Sequence, residues 1–178
     1  MITPIDQRPA RLADAGLPPG LLAAIDAAAH QPQALHSIIG PPDAAYFYLP
    51  QVIEQRPALE GWEITPIGDG SNGAAFYVAL SGADTPLRYV RLTLENKDID
   101  EDFGPHVDLL LAHLLIELYE FADDTPVEDL AQVGRNIGLT RAQSLLEALE
   151  SASEDHVRSS LEGDRAWRRQ VLPRILGL

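Results

Sequence analysis

Trp62 to Leu80 reads WEITPIGDGSNGAAFYVAL, and the fold turns on this stretch. Two short runs rich in aromatic and β-branched residues flank a cluster of Gly, Asp, Ser and Asn, the composition of strand, tight connection and strand. The pattern predicts a β-hairpin with strands over Trp62 to Ile67 and Ala74 to Leu80. Gly68, Gly70 and Gly73 tolerate positive φ, and Asp69, Ser71 and Asn72 can hydrogen-bond the local backbone, so the connection is built to turn. In glycine content it is like a phosphate-cradling loop, but it lacks the Walker spacing and lysine and leads into a strand instead of a helix.

Outward from the hairpin, Leu87 to Leu94 predicts a third strand, with Val90, Leu92 and Leu94 on one face together with Arg88. AYFYL (Ala45 to Leu49) reads as a brief strand, and loops this short make consecutive strands antiparallel neighbours. Pro18 to Ala29 has helical spacing of Leu21, Leu22, Ile25, Ala28 and Ala29, with Pro18 and Pro19 in the opening turn. His30 to Asp43 is a proline-rich loop, and Val52 to Leu59 reads as a helical turn stopped before Pro57.

After the charged run ENKDIDEDF (Glu95 to Phe103), a helix is expected over Pro105 to Phe121. Its stripe of Val107, Leu110, Leu111, Leu114, Leu115, Leu118 and Phe121 would cover the sheet. Beyond Asp123 the chain is helical in character. Thr125 is the expected N-cap of a helix running to Asn136 and Thr140 that of a second through Leu149; a final helix carries Trp167, Val171, Leu172, Ile175 and Leu176, broken or bounded by Pro173. The expected class is α+β: an antiparallel sheet of about four to six strands covered by helices, with a C-terminal helical extension. The division is an α+β domain over residues 1–122 and a helical extension over 123–178, free-standing or packed on the same core.

The chain has 178 residues, 46% of them hydrophobic, enough to bury a core without metal or disulfide staples. Cysteine is absent, so there is no disulfide framework, thiolate nucleophile or cysteine metal site. No basic start precedes an apolar run and no segment nears the length of a membrane span, so a soluble protein with cytoplasmic residence and no membrane partner is expected. Formal net charge is −14, which argues against phosphate backbones as partners. The charge is uneven: residues 135–178 sum to +1, leaving −15 on residues 1–134, and twelve Asp and Glu face the single Lys97 between Leu92 and Asp129. Such a surface serves solubility or steers a basic partner.

The constellations that could carry chemistry each have a plainer explanation. His106 and His113, with Asp102 and Glu117 four residues from one or the other, offer metal-ligand types. Seven residues of helix nevertheless separate the two histidines by about 10 Å along the axis, so surface pairing at i, i+4 is the better account. The run Glu95, Asp98, Asp100, Glu101, Asp102 lacks the glycine and terminal glutamate of a calcium loop and reads as a solvated charged turn. There is no GxSxG elbow. Leu130 to Leu149 is spaced like a helix-turn-helix in which Thr140, Arg141 and Gln143 would face bases, although Ala142, Leu145, Leu146 and Leu149 form an equally good core stripe. No catalytic residue, metal or cofactor is expected.

The order LPPG (Leu17 to Gly20), AYFYLPQVIEQ (Ala45 to Gln55), ITPIGDGSNGAAFYVAL (Ile64 to Leu80), LRYVRLTL (Leu87 to Leu94) and the helix after Phe103 resembles the SUKH superfamily, which takes in the yeast cell-wall synthesis regulator and many bacterial immunity proteins. The resemblance spans about residues 17–121. It departs from the family pattern at HSIIGPPD (His36 to Asp43), where an Asn-Gly-Gly segment is common, and at Ala74 and Ala75, where an acid is usual. It implies an α+β fold and non-catalytic binding and neutralisation of a bacterial toxin. The expected partner-binding face is Glu95, Asp98, Asp100, Glu101 and Asp102, attractive to a basic toxin domain, with Asp69 and Asn72 of the turn as a second site. The alternatives are a DNA-binding regulator built on residues 130–149 and a scaffold or assembly protein of a larger bacterial system.

Overall fold

The computed structural model describes residues 1–26, 35, 38–42, 53, 56–70, 75–122 and 125–178. Its centre is a five-stranded antiparallel sheet in the order β1-β2-β3-β4-β5, formed by Ile39–Gly40, Glu63–Gly70, Ala75–Ser81, Arg88–Thr93 and Glu101–Gly104. Six helices accompany it among the described residues: α1 (Arg8–Asp14), α2 (Pro19–Asp26), α3 (Val107–Phe121), α4 (Val127–Asn136), α5 (Ala142–Glu154) and α6 (Leu161–Leu176). The fold is α+β.

The hairpin is present, with a difference. β2 runs on through Gly68, Asp69 and Gly70, so these residues belong to the strand and none of the three has positive φ. Pairing jumps from Pro66 opposite Val78 to Gly68 opposite Tyr77, which makes Ile67 the extra residue of a β-bulge. A bulge exchanges the faces of everything beyond it. Gly68 thereby turns toward β1, where an added Cβ would lie 2.7 Å from the Gly40 carbonyl oxygen. Close approach, rather than turning, is what this glycine supplies. The bulge also leaves carbonyls out of the ladder, and the buried Arg8 of α1 fills the gap: its Nε donates to Pro66 O at 2.8 Å and its Nη2 to Ile67 O at 2.6 Å. Asp26 at the end of α2 accepts from Arg8 Nη1 through both oxygens, at 2.9 and 3.1 Å.

Both sheet faces are covered. One carries Ile64, Phe76, Val78, Leu80, Val90 and Leu92 against Ile53 and Leu59. The other, bearing Ile67, Tyr77, Ala79, Tyr89 and Phe103, meets the helices in one continuous cluster. The apolar parity of β4 thus faces away from the helix expected to cover it, and α3 covers the face holding Tyr89 and Arg91. The same cluster contains Leu130, Leu145, Leu146, Leu149, Trp167 and Leu172 of α4 to α6, so the C-terminal helices lie on the same core as residues 1–122.

Several expected boundaries shift. β1 falls inside the stretch read as loop, β5 begins inside the charged run, and Pro57 opens a 3-10 turn over Pro57–Leu59. Before it Arg56 N donates to Ile53 O at 3.2 Å, and the rest of the turn expected ahead of Pro57 lies outside the described residues. Neither Thr125 nor Thr140 caps: the caps are Pro126 and Arg141, without side-chain hydrogen bonds. Helix α6 begins at Leu161 behind Ser160, whose hydroxyl accepts from Gly163 N at 3.0 Å, and it contains Pro173 in its last turn. The strand read at Ala45 to Leu49 lies outside the described residues.

Candidate functional site

Polar groups collect where α3 crosses the sheet. Tyr77 of β3 stands opposite Arg91 of β4, and Arg91 opposite Glu101 of β5, so register alone lines the three up across the strands. Above them α3 presents His113 and Glu117, one turn apart and on one side of the helix. Tyr77 Oη donates to Glu117 Oε2 at 3.1 Å and lies 3.1 Å from His113 Nε2. His113 Nε2 is 3.2 Å from Glu117 Oε1, and its Nδ1 is 2.8 Å from Glu101 Oε2. Glu101 Oε2 is buried, and His113 Nδ1 is its charged neighbour on α3. The imidazole also packs against Phe103, with ring centroids 5.1 Å apart.

Charge settles the protonation of this cluster. Burial favours neutral imidazole, but contacts to Glu101 and Glu117 outweigh it and raise the His113 pKa above its ordinary value. Burial likewise opposes the charge on Glu101 and Glu117, and contact with His113 prevails, holding both carboxyls below the usual range. Burial and Glu117 push the Tyr77 phenol well up. Arg168 of α6 brings Nη1 within 3.4 Å of His113 Nδ1. An imidazolium has no lone pair to accept it, so this is a contact of two donors. Arg91 is paired with Asp100 and lies 3.9 Å from Glu117. A protonated histidine with both nitrogens facing carboxylates holds its proton and has no free base position; the arrangement is a neutralised ion network.

The acidic run separates into two groups. Asp100 pairs with Arg91, Asp102 with Arg88 and Glu101 with His113, all across the sheet or onto α3. Glu95 and Asp98 stay exposed in the β4–β5 loop and form no ion pair among the described residues. Buried Arg56 holds that loop from beneath, donating from Nη2 to Thr93 O at 2.6 Å and from Nη1 to Asn96 O at 2.7 Å. The solvated turn expected over the whole run is therefore confined to its first half, and the second half is strand β5. Asp69 is half-buried in β2, distant from the loop in sequence but aligned through Phe76 of β3 with Leu92 of β4, just before the loop begins, and Asn72 lies outside the described residues.

His106 is exposed at the N-cap of α3. His113 does pair with Glu117 at i, i+4, but inside the protein, correcting the surface placement. Thr140, Arg141 and Gln143 are exposed, with Gln143 donating to Glu147 at 3.0 Å, while Ala142, Leu145, Leu146 and Leu149 are buried. Comparison of the chain with protein-family models, with curated proteins and with solved structures gave no match. No described helix is long and apolar enough to cross a membrane.

Sequence reasoning missed Arg8, Tyr77, Arg91 and Arg168. Arg91 carried a signal: a cation in the middle of LRYVRLTL, on the strand face opposite Val90 and Leu92, needs a nearby acid if that face is covered.

Proposed function

We propose that this protein is a non-catalytic protein-binding module, and specifically, as the SUKH resemblance implies, a cytoplasmic immunity protein that binds and neutralises a basic bacterial toxin. The observation that carries the reading is the β4–β5 loop, which holds Glu95 and Asp98 in solvent without ion partners among the described residues while Arg56 fixes the backbone beneath them. Two uncompensated carboxylates on an anchored loop form a preorganised patch for cations, because little ordering cost remains at binding. The net charge of −14 extends the attraction beyond contact distance at low salt. The interior network is in keeping with this, since its charges neutralise one another.

The test is a pull-down from the source cells with the tagged protein, read at low and high salt, followed by the association rate of the partner recovered. The expected result is one basic partner released as salt rises, with the on-rate falling roughly ten-fold in the double variant Glu95→Gln, Asp98→Asn. An on-rate and salt dependence unchanged in that variant would remove the loop as the interface. Retention of only a small molecule or duplex DNA would remove the protein-binding reading itself.

A further inference from the structure

We propose that the cleft between β5, α3 and α6 is a binding site for a small apolar carboxylate. The cleft has a volume of about 520 Å³ and an apolar wall formed by Phe103, Leu109 and Leu172, within the size range of small-molecule sites. Its rim carries Arg165, Arg168 and Arg169 from one side of α6.

The local charge balance is the argument. Two acids line the cleft, and both are already engaged: Glu101 with His113 and Asp102 with Arg88. Arg168 is engaged too, its Nε 2.7 Å from Asp164 Oδ2. Arg165 and Arg169 have no carboxylate within ion-pair distance among the described residues; the Nε of Arg169 donates only to the Arg165 carbonyl oxygen, at 3.2 Å. They stand at i and i+4, where like charges repel. In a chain with 27 acids and 13 basic residues, two adjacent arginines left unpaired above an apolar wall are a local excess of positive charge that an incoming anion relieves. A cleft of about 550 Å³ beside Glu120 and Ser160 has no such excess, because Arg158 there is spent on Glu120 and Asp164. Guanidinium forks suit a carboxylate, and the apolar wall suits a hydrocarbon body attached to it. The inference stands independently of the protein partner proposed above.

The experiment is calorimetric titration of the full chain with sodium octanoate, with octanamide and inorganic phosphate as controls for the charge and the apolar body. The expected result is saturable octanoate binding, weaker by about ten-fold or more in the double variant Arg165→Gln, Arg169→Gln, and no comparable binding of either control. Both side chains are exposed, and an unchanged Tm checks that the variant folds. Amide shifts on octanoate addition should centre on residues 101–104 and 165–172. No saturable octanoate binding, equal binding of octanamide or phosphate, an unchanged affinity in the folded variant, or shifts centred elsewhere would each overturn the assignment.

Discussion

Because His113 sits between Glu101 and Glu117, its proton contributes to folding stability. Its pKa is raised in the folded state, so its contribution is complete below the unfolded value of about 6.5 and is lost as pH rises through the folded value. Glu101 and Glu117 are depressed, so theirs is present above the unfolded value of about 4.3 and is lost as pH falls through the folded values. The cluster therefore stabilises most between those two unfolded values. In chemical denaturation, the stability difference between wild type and His113→Gln should be largest near pH 5.5 and narrow toward pH 8.5; a difference flat across that range would mean that the imidazole is neutral when folded. Arg8 is the second residue whose removal should tell. Arg8→Met leaves two carbonyls of the bulge and the Asp26 carboxylate without their donor, and should cost about 3 kcal/mol in the same assay. Spacing showed that His113 and Glu117 share a helix side, but not whether that side meets water. That depends on Arg91 and Glu101 arriving from strands beneath, which is a tertiary fact.

Local periodicity made β2, β3, β4 and α3 legible, since in each an apolar pattern of the right period runs long enough to be read. It could not reveal β5. Its four residues, Glu101 to Gly104, include two acids and a glycine, all poor strand formers. They extend because Arg88 and Arg91 in the neighbouring strand take up Asp102 and Asp100, and Glu101 stands across from Arg91. The start of α6 was missed for a different reason: Ser160 is a clear cap, but no apolar stripe follows it before Trp167. Ser160→Ala should lower stability by about 1 kcal/mol through loss of the bond to Gly163 N. In the α4–α5 connection Gly138 has φ +106°, and a Cβ there would lie 2.6 Å from Pro18. Gly138→Ala should cost about 2 kcal/mol or more, read as a lower denaturation midpoint. The outward side of α5 bears Glu147, Glu150 and Glu154, which would oppose phosphates. The purified protein should accordingly leave duplex DNA unshifted at low salt; a salt-sensitive shift would restore the regulator reading.

At the scale of the molecule, everything depends on how deeply α3 is buried. Leu110, Leu111, Ala112, Leu114, Leu115, Ile116 and Leu118 are all buried, and a helix with apolar residues on more than one side belongs in an interior. The sequence contains this information in Leu109, Ala112 and Ile116, which lie off the single stripe that marked α3 as a sheet cover. That surplus calls for a second cover, and α4, α5 and α6 provide it. Residues 123–178 are thus required by the core of the first 122 residues. Cutting the chain after Ala122 would expose several leucines at about 1.5–3 kcal/mol each, against a total stability of about 5–15 kcal/mol for a domain. The fragment 1–122 should fail to fold, giving collapsed amide dispersion in NMR spectra, no cooperative thermal transition and a strong tendency to aggregate. A soluble fragment with dispersed amides would mean that the sheet and α3 suffice, and that the C-terminal helices are a separable unit laid against a finished domain.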